Sequence, residues 1–323
     1  MTPPLITIEE AFLSSAANER LPDRDRGMLG GLIGDMLLDT DTHRLKSMNE
    51  NRVSLQVISH VPGALSLDIC AAANDQAAEA VKANPARFAA FANLPVADPA
   101  ACATELRRCV KELGFVGALI DNRADSTYYD GDEYLPLWQM AQELDVPIYL
   151  HPTLPSEEQK RASYTGNFSE VAATCIGAFA WGWHSDVAVH ILRLYAAGVF
   201  DKFPRLKVVI GHFGEMLPFM LQRVSRIAGR WGRDRGFKEV YDENIWITTS
   251  GVWSLDPMAT ILRNTKIDHI LFSIDYPFAK NEDGVEFIKN LEESGLVTQE
   301  QLEYIAYKNA EGLLKVKAKE LFA

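Results

Sequence analysis

The stretch Leu5-Ile6-Thr7-Ile8-Glu9-Glu10-Ala11-Phe12 decides the fold. Its first four residues are apolar or β-branched and do not alternate with polar ones. That pattern predicts a strand, Leu5–Ile8, buried on both faces of a parallel sheet. A doubly wound open sheet would continue from its first strand into a glycine-rich phosphate turn. Glu9-Glu10-Ala11-Phe12 cannot make that turn, so a closed barrel is the reading to test along the rest of the chain.

Seven further runs have the same character: Leu55–Ser59, Phe88–Leu94, Val116–Ile120, Val146–Leu150, Lys207–Ile210, Ile245–Thr248 and Ile270–Ile274. Amphipathic stretches of helical length lie between them. Asp68–Lys82 stops before Asn84-Pro85, and Asp98 before Pro99 is a good N-cap with proline in the first turn. Tyr134–Leu144, Val187–Ala197, Met216–Ile227, Val285–Glu293 and Gln299–Ala318 continue the alternation. Eight strands with intervening helices predict an α/β fold of the (β/α)8 barrel type. No linker or low-complexity segment divides residues 1–323, so one domain is expected.

Composition narrows the function. The 323 residues are 47% hydrophobic and carry a net charge of −12. That acidity argues against nucleic acid, whose binding needs clustered Lys and Arg, and against an anionic membrane surface. No apolar run approaches the ~20 residues of a membrane span. Met1-Thr2-Pro3-Pro4 does not open a secretory signal. Cys70, Cys102, Cys109 and Cys175 are scattered and read as reduced thiols, which places the protein in the cytoplasm.

In such a barrel the chemistry sits at the C-terminal ends of the strands. Glu9 and Glu10 follow strand one, His151 strand five, His212 strand six and Asp275 strand eight. Ionisable groups ending apolar strands are costly to bury unpaired. Their convergence on one mouth points to a metal or a reaction, and Glu, His and Asp together suit Zn, Mn or Mg. His60 ends strand two and faces the same mouth. His184, beside Trp181 and Trp183, is a further candidate. His190 sits in an apolar helical pattern and is expected in the core; His43 and His269 are expected at the surface or in caps. The long segment 152–185, rich in aromatics, is expected to wall a pocket.

These strand ends resemble the amidohydrolase superfamily, and within it the metal-dependent decarboxylases of ortho-hydroxybenzoates. The resemblance runs over nearly the whole chain. It rests on Ile8-Glu9-Glu10-Ala11-Phe12, Phe115-Val116-Gly117-Ala118-Leu119, Leu144–Pro152, Gly211-His212-Phe213-Gly214-Glu215, Ile247-Thr248-Thr249-Ser250-Gly251 and Ile270–Phe278. It implies one divalent metal on Glu9, His151 and Asp275. It implies a proton path through Asp275, with His212 paired to Glu215, and a substrate-carboxylate contact at Arg223. His60 and His184 are the other candidate substrate contacts. There are departures: Ala11 stands where many members have His, Thr153-Leu154-Pro155 replaces Arg-Asn-Pro, and Asp121 replaces Asn.

The implied reaction is non-oxidative decarboxylation, with 2,3-dihydroxybenzoate giving catechol and CO2 as the expected case. It needs no organic cofactor. Protonating the ring at the carboxylate-bearing carbon lets the ortho oxygen supply electrons, and losing CO2 then restores aromaticity. The partner is a small aromatic acid, and relatives imply a homodimer or homotetramer. A hydrolase or lactonase of the same superfamily is the alternative, set against by Ala11 and by the absence of a lysine ending strand four.

Overall fold

The structure is a computed structural model and describes residues 3–20, 30–63 and 65–319. Met1 and Thr2, read above as part of the N-terminal segment, lie outside them. Eight parallel strands run in chain order: β1 (Leu5–Phe12), β2 (Val53–His60), β3 (Phe88–Ala90), β4 (Ala118–Asp121), β5 (Ile148–His151), β6 (Val208–Ile210), β7 (Ile245–Thr248) and β8 (Ile270–Leu271). Each pairs with its sequence neighbour from β1 to β3 and from β4 to β8. A bridge from Ala92 to Ala118 joins the two sets. The circle closes where Ala11 N–H donates to Tyr276 O at 2.7 Å and the Ser273 hydroxyl donates to Ile8 O. This is a (β/α)8 barrel, and its closure removes every exposed sheet edge.

The strands are buried on both faces, as their lack of alternation requires. One set of apolar residues fills the barrel: Ile6, Ile8, Leu55, Val57, Leu119, Tyr149, Val209 and Leu271. A larger set packs strands against the surrounding helices. Asp98 caps the Pro99–Lys111 helix by accepting from Ala101 N–H at 3.3 Å.

Several boundaries differ from the sequence reading. β1 does not end at Ile8 but continues to Phe12, because both carboxylates find partners inside the fold. Pairing with β2 passes from Ile8 directly to Glu10, so Glu9 is an inserted, bulged residue. The ladder of β8 stops at Leu271 and not at Ile274. Beyond it Thr249 replaces the ladder, its hydroxyl donating to Ser273 O at 2.9 Å and accepting from Ser273 N–H at 3.1 Å. The C-terminal helix breaks into Gln299–Glu303, a wide turn over Tyr304–Lys308, and Asn309–Leu314. The chain beyond it lies against Ser54, which bonds Lys319 in both directions at 2.8 Å.

His43 is exposed and His190 fully buried, as expected. His269 is buried and not at the surface. It stacks on Trp246 with centroids 4.1 Å apart and donates to Ile245 O at 2.8 Å, closing the barrel's N-terminal end. The four cysteines are unpaired, and only Cys175 is exposed. No helix among the described residues is long and apolar enough to cross a membrane.

Candidate active site

The bulge turns Glu9 into the barrel with a backbone φ of 73°. Its Oε2 accepts from the hydroxyls of Tyr149, on β5, and Ser250, just after β7. Its Oε1 is buried and receives no hydrogen bond of good geometry, although His151 Nε2 lies 3.0 Å away. His151 Nδ1 is 2.7 Å from Pro152 O, which can only accept, so that nitrogen carries the ring proton. In the neutral ring, Nε2 then presents a lone pair to a carboxylate oxygen. Two electron pairs at that distance require a cation between or beside them, a proton or a metal.

Burial pushes Glu9 up, but the His151 contact and the His212 charge win and hold it below the ordinary carboxylate range. Burial would lower His151, but its Glu9 contact outweighs that and raises it. Asp275 has its own left-handed φ of 74°. Burial and the Glu9 charge raise its carboxyl well above the usual range. Two carboxylates that cannot comfortably ionise together, an imidazole nitrogen and an unbonded Oε1 form a donor set that fits one divalent ion.

The second cluster follows β6. Gly211-His212-Phe213-Gly214-Glu215-Met216 carries five consecutive left-handed residues, with φ of 48°, 56°, 84°, 50° and 68° from His212 on. L-residues avoid that region at roughly 1–2 kcal/mol each. Such backbone persists where its surroundings over-determine it. The turn sets His212 Nδ1 2.7 Å from Glu215 Oε1. Glu215 is fully buried and offers its other oxygen to His184 Nδ1, also at 2.7 Å. Burial would lower His212, but the Glu215 charge and hydrogen bond push it up to about 9. Burial would raise Glu215, and the His212 charge and His184 bond hold it down. Ligand atoms of His184, His212 and Glu215 lie within 4.8 Å of one another. The nitrogens facing Glu215 donate to it, so this cluster holds protons in the arrangement described.

His212 and His151 rings approach to 6.3 Å between centroids, which brings the two clusters side by side. His184 joins the site through Glu215, backed by Trp183, whose indole N–H donates to His184 Nε2 at 2.9 Å. His60 is at the mouth but already occupied. Its Nε2 accepts from Ser14 N–H at 3.1 Å and its Nδ1 donates to Val61 O at 2.9 Å. Burial lowers it to about 4. Both nitrogens are taken, so the expected substrate contact is not available to it. Arg223 is exposed. The Leu217–Ala228 helix buries Leu217, Pro218, Leu221 and Ala228, and Arg223 lies off that face.

Sequence reasoning missed Tyr149 and Ser250. Tyr149 stands two residues before His151, hence on the same side of the strand, which was the available signal. Ser250 lies in a Thr248-Thr249-Ser250-Gly251 run whose hydroxyls had no assigned partners. The segment 152–185 begins against the chain after β4, where Thr153 Oγ1 accepts from Asn122 N–H at 3.0 Å and Leu154 O accepts from Arg123 at 3.1 Å, and the same two residues are held by Asp186, just after the segment. That carboxylate takes Arg123 Nε at 2.6 Å, Asn122 Nδ2 at 2.9 Å and the Tyr128 hydroxyl. A cavity of about 260 Å³ opens outside this tie, between Arg123, Ser126, Tyr128, Ser156 and Gln159, and does not include the Glu9 cluster.

The amidohydrolase family model matches residues 22–316. Decarboxylase orsB of Emericella nidulans is 52% identical over 99% of both chains. Gamma-resorcylate decarboxylase of Polaromonas sp. is 34% identical over 95% of each. A crystal structure of dihydroxybenzoic acid decarboxylase from Polaromonas sp., with bound manganese and the inhibitor 2-nitroresorcinol, superposes with a TM-score of 0.84, at 32% identity over 99% of each chain. A barrel with carboxylates and imidazoles at the ends of β1, β5, β6 and β8, matched over nearly its full length by such enzymes, belongs to the amidohydrolase family, in its branch of hydroxybenzoate decarboxylases.

Proposed function

We propose that this decarboxylase acts on a dihydroxybenzoate, releasing CO2 without oxidation at a site holding one divalent metal ion. The observation that carries the reading is the Glu9 Oε1 and His151 Nε2 pair, 3.0 Å apart without a good hydrogen bond, while every other polar atom of the two groups is engaged. The manganese of the Polaromonas enzyme supports Mn ahead of Zn or Mg. The names of the relatives and the resorcinol-type inhibitor support the 2,6-dihydroxy pattern ahead of the 2,3-dihydroxy pattern expected from sequence.

Glu9, His151 and Asp275 would hold the ion. When bound it supplies a positive centre that orients carboxylate and ortho oxygen and favours the phenolate. The remaining work is done by protons. Asp275 is the general acid that delivers a proton to the carboxylate-bearing carbon. His212, held as imidazolium by Glu215, returns a proton to the site after each turnover. The ring, fed by the ortho oxygen, supplies the pair for the new C–H bond and recovers a pair from the broken C–C bond as CO2 leaves, so the chemistry calls for no organic cofactor. Exposed Phe219, Met220, Ile227 and Trp231 along one helix and its end support a homodimer or homotetramer. Reduced cysteines support a cytoplasmic location.

The test is incubation with 2,6- and 2,3-dihydroxybenzoate, with and without chelator, measuring CO2 and the dihydric phenol. Turnover of the 2,6-isomer that stops on chelation and returns with Mn²⁺ is the expected result. Undiminished turnover in chelator would overturn the metal reading, and a preference for the 2,3-isomer would overturn the ring pattern.

A further inference from the structure

Glu10 stands beside Glu9 but takes no part in the metal cluster. Its carboxylate reaches across from β1 to the chain that follows β8. One oxygen accepts Ile274 N–H at 3.1 Å and the other accepts Tyr276 N–H at 2.9 Å. These are the residues on either side of Asp275. Asp275 itself sits at φ 74°, and no described residue hydrogen-bonds its carboxylate. Its position is therefore set by the backbone alone, and the backbone on both flanks is held by Glu10.

A second pair of contacts braces the same clamp. Ala11 N–H donates to Tyr276 O at 2.7 Å. Arg44, fully buried, donates to Ala11 O at 2.6 Å and lies over the Tyr276 ring at 4.8 Å. Glu10 and Arg44 thus grip the residues following Glu9 and Asp275 together, fixing one ligand-bearing backbone against the other. We propose that Glu10, braced by Arg44, is a positioning residue that holds Asp275 in its left-handed conformation and so sets the affinity of the metal site. The inference rests on Asp275 being a metal ligand.

The geometry makes a specific demand. Two diverging N–H groups need two acceptor oxygens on one side chain, and a carboxylate supplies both. Glutamine supplies one, and its NH2 would oppose the other N–H. With one flank released, Asp275 relaxes toward ordinary φ and carries its carboxylate away. Partners that orient ligands typically change metal affinity by ~10–100-fold when lost.

The experiment measures Mn²⁺ dissociation constants and the Tm of metal-free full-length protein, for Glu10→Gln, Asp275→Ala and the double variant. Glu10→Gln should weaken Mn²⁺ at least ~10-fold. The double variant should bind no more weakly than Asp275→Ala, because Glu10 acts only through Asp275. Asn309→Ala is the control. Asn309 Nδ2 holds Ile267 O and Ile270 O, at 2.7 and 2.8 Å, at the opposite end of β8. It should lower Tm and leave Mn²⁺ affinity unchanged. If Glu10→Gln fails to fold, Arg44→Lys, which keeps charge but loses the planar fork, carries the same comparison. Unchanged affinity in Glu10→Gln, additive losses in the double variant, or an equal loss in Asn309→Ala each overturns the proposal while the ligand assignment stands. Unchanged affinity in Asp275→Ala overturns the ligand assignment and the proposal with it.

Discussion

Glu215 is a single buried carboxylate shared by two imidazoles, and its neighbours divide the labour of the site. His212 lies beside His151, and His184 sits against Trp183 and the Phe179 carbonyl. If His212 handles protons and does not bind metal, His212→Ala should keep metal content near wild type while kcat falls by at least ~10²-fold, the lower end for an acid–base group. Glu215→Gln should cost less, since the ring remains and only its charge support is lost. Metal content and kcat measured on one preparation separate the cases, and metal loss in His212→Ala would make that residue a ligand. Tyr149 and Ser250 orient Glu9 as Glu215 orients the two imidazoles. Both donate to Glu9 Oε2, which leaves Oε1 open to the proposed ion. Tyr149→Phe with Ser250→Ala should weaken Mn²⁺ binding ~10–100-fold, read by titration of the metal-free protein; unchanged affinity would mean that Glu9 needs no such orientation.

The turn after β6 shows why the elements were legible and their active geometry was not. Strand β6 follows from Val208-Val209-Ile210, and His212 was readable as the residue at its mouth. Nothing in Gly211-His212-Phe213-Gly214-Glu215-Met216 announces five left-handed residues in succession, because four of them bear side chains that avoid that region. Packing enforces the conformation against local preference. The same holds for Glu9: alternation and composition locate β1, but the bulge depends on the pairing partner in β2. Arg223 is exposed for a related reason, since the burial pattern that turns it outward belongs to the helix and not to its position after His212. Gly214 is where local preference and fold agree. Its φ is 84°, and an added Cβ would meet Pro218 Cγ at 2.8 Å and Ile247 Cγ2 at 3.1 Å. Gly214→Ala should therefore destabilise the protein by about 1–3 kcal/mol and disturb the His212–Glu215 pair. A lowered Tm with reduced kcat is expected, and a wild-type value of both would show that the turn tolerates a side chain.

At the scale of the whole molecule, buried histidines set the response to acid. His190 is fully buried, with Nδ1 donating to Asn122 Oδ1 at 3.1 Å and Nε2 accepting from Tyr129 N–H at 3.1 Å. Burial lowers it to about 3, as it lowers His60 to about 4. Both fold as neutral rings whose unfolded counterparts titrate near 6.5. Their contribution is complete above pH 6.5 and is lost as pH falls toward 4 and 3. Each pH unit between the unfolded and folded values is worth about 1.36 kcal/mol, so the loss is on the order of 3–5 kcal/mol per ring at most. Three buried carboxyls act with the opposite sign, among them Asp275, which burial and the Glu9 charge raise well above the usual range. Burial raises Glu10 to about 7 and Asp121 to about 6. Each is costly to ionise in the fold, and that cost is relieved as pH falls through those values toward 4.5 and 3.8. Gains and losses overlap between pH 7 and about 4.5, and with Asp275 included the gains at least offset the losses. Below 4.5 Glu10 has no more to give, the histidines continue to lose, and Glu215, held down in the fold, begins to lose as well. The metal-free protein should therefore show no fall in unfolding free energy from pH 7 to about 4.5 and a steep fall below it. Urea unfolding across that range checks the shape. A steady decline beginning at about pH 6.5 would show that the carboxyls do not offset the histidines.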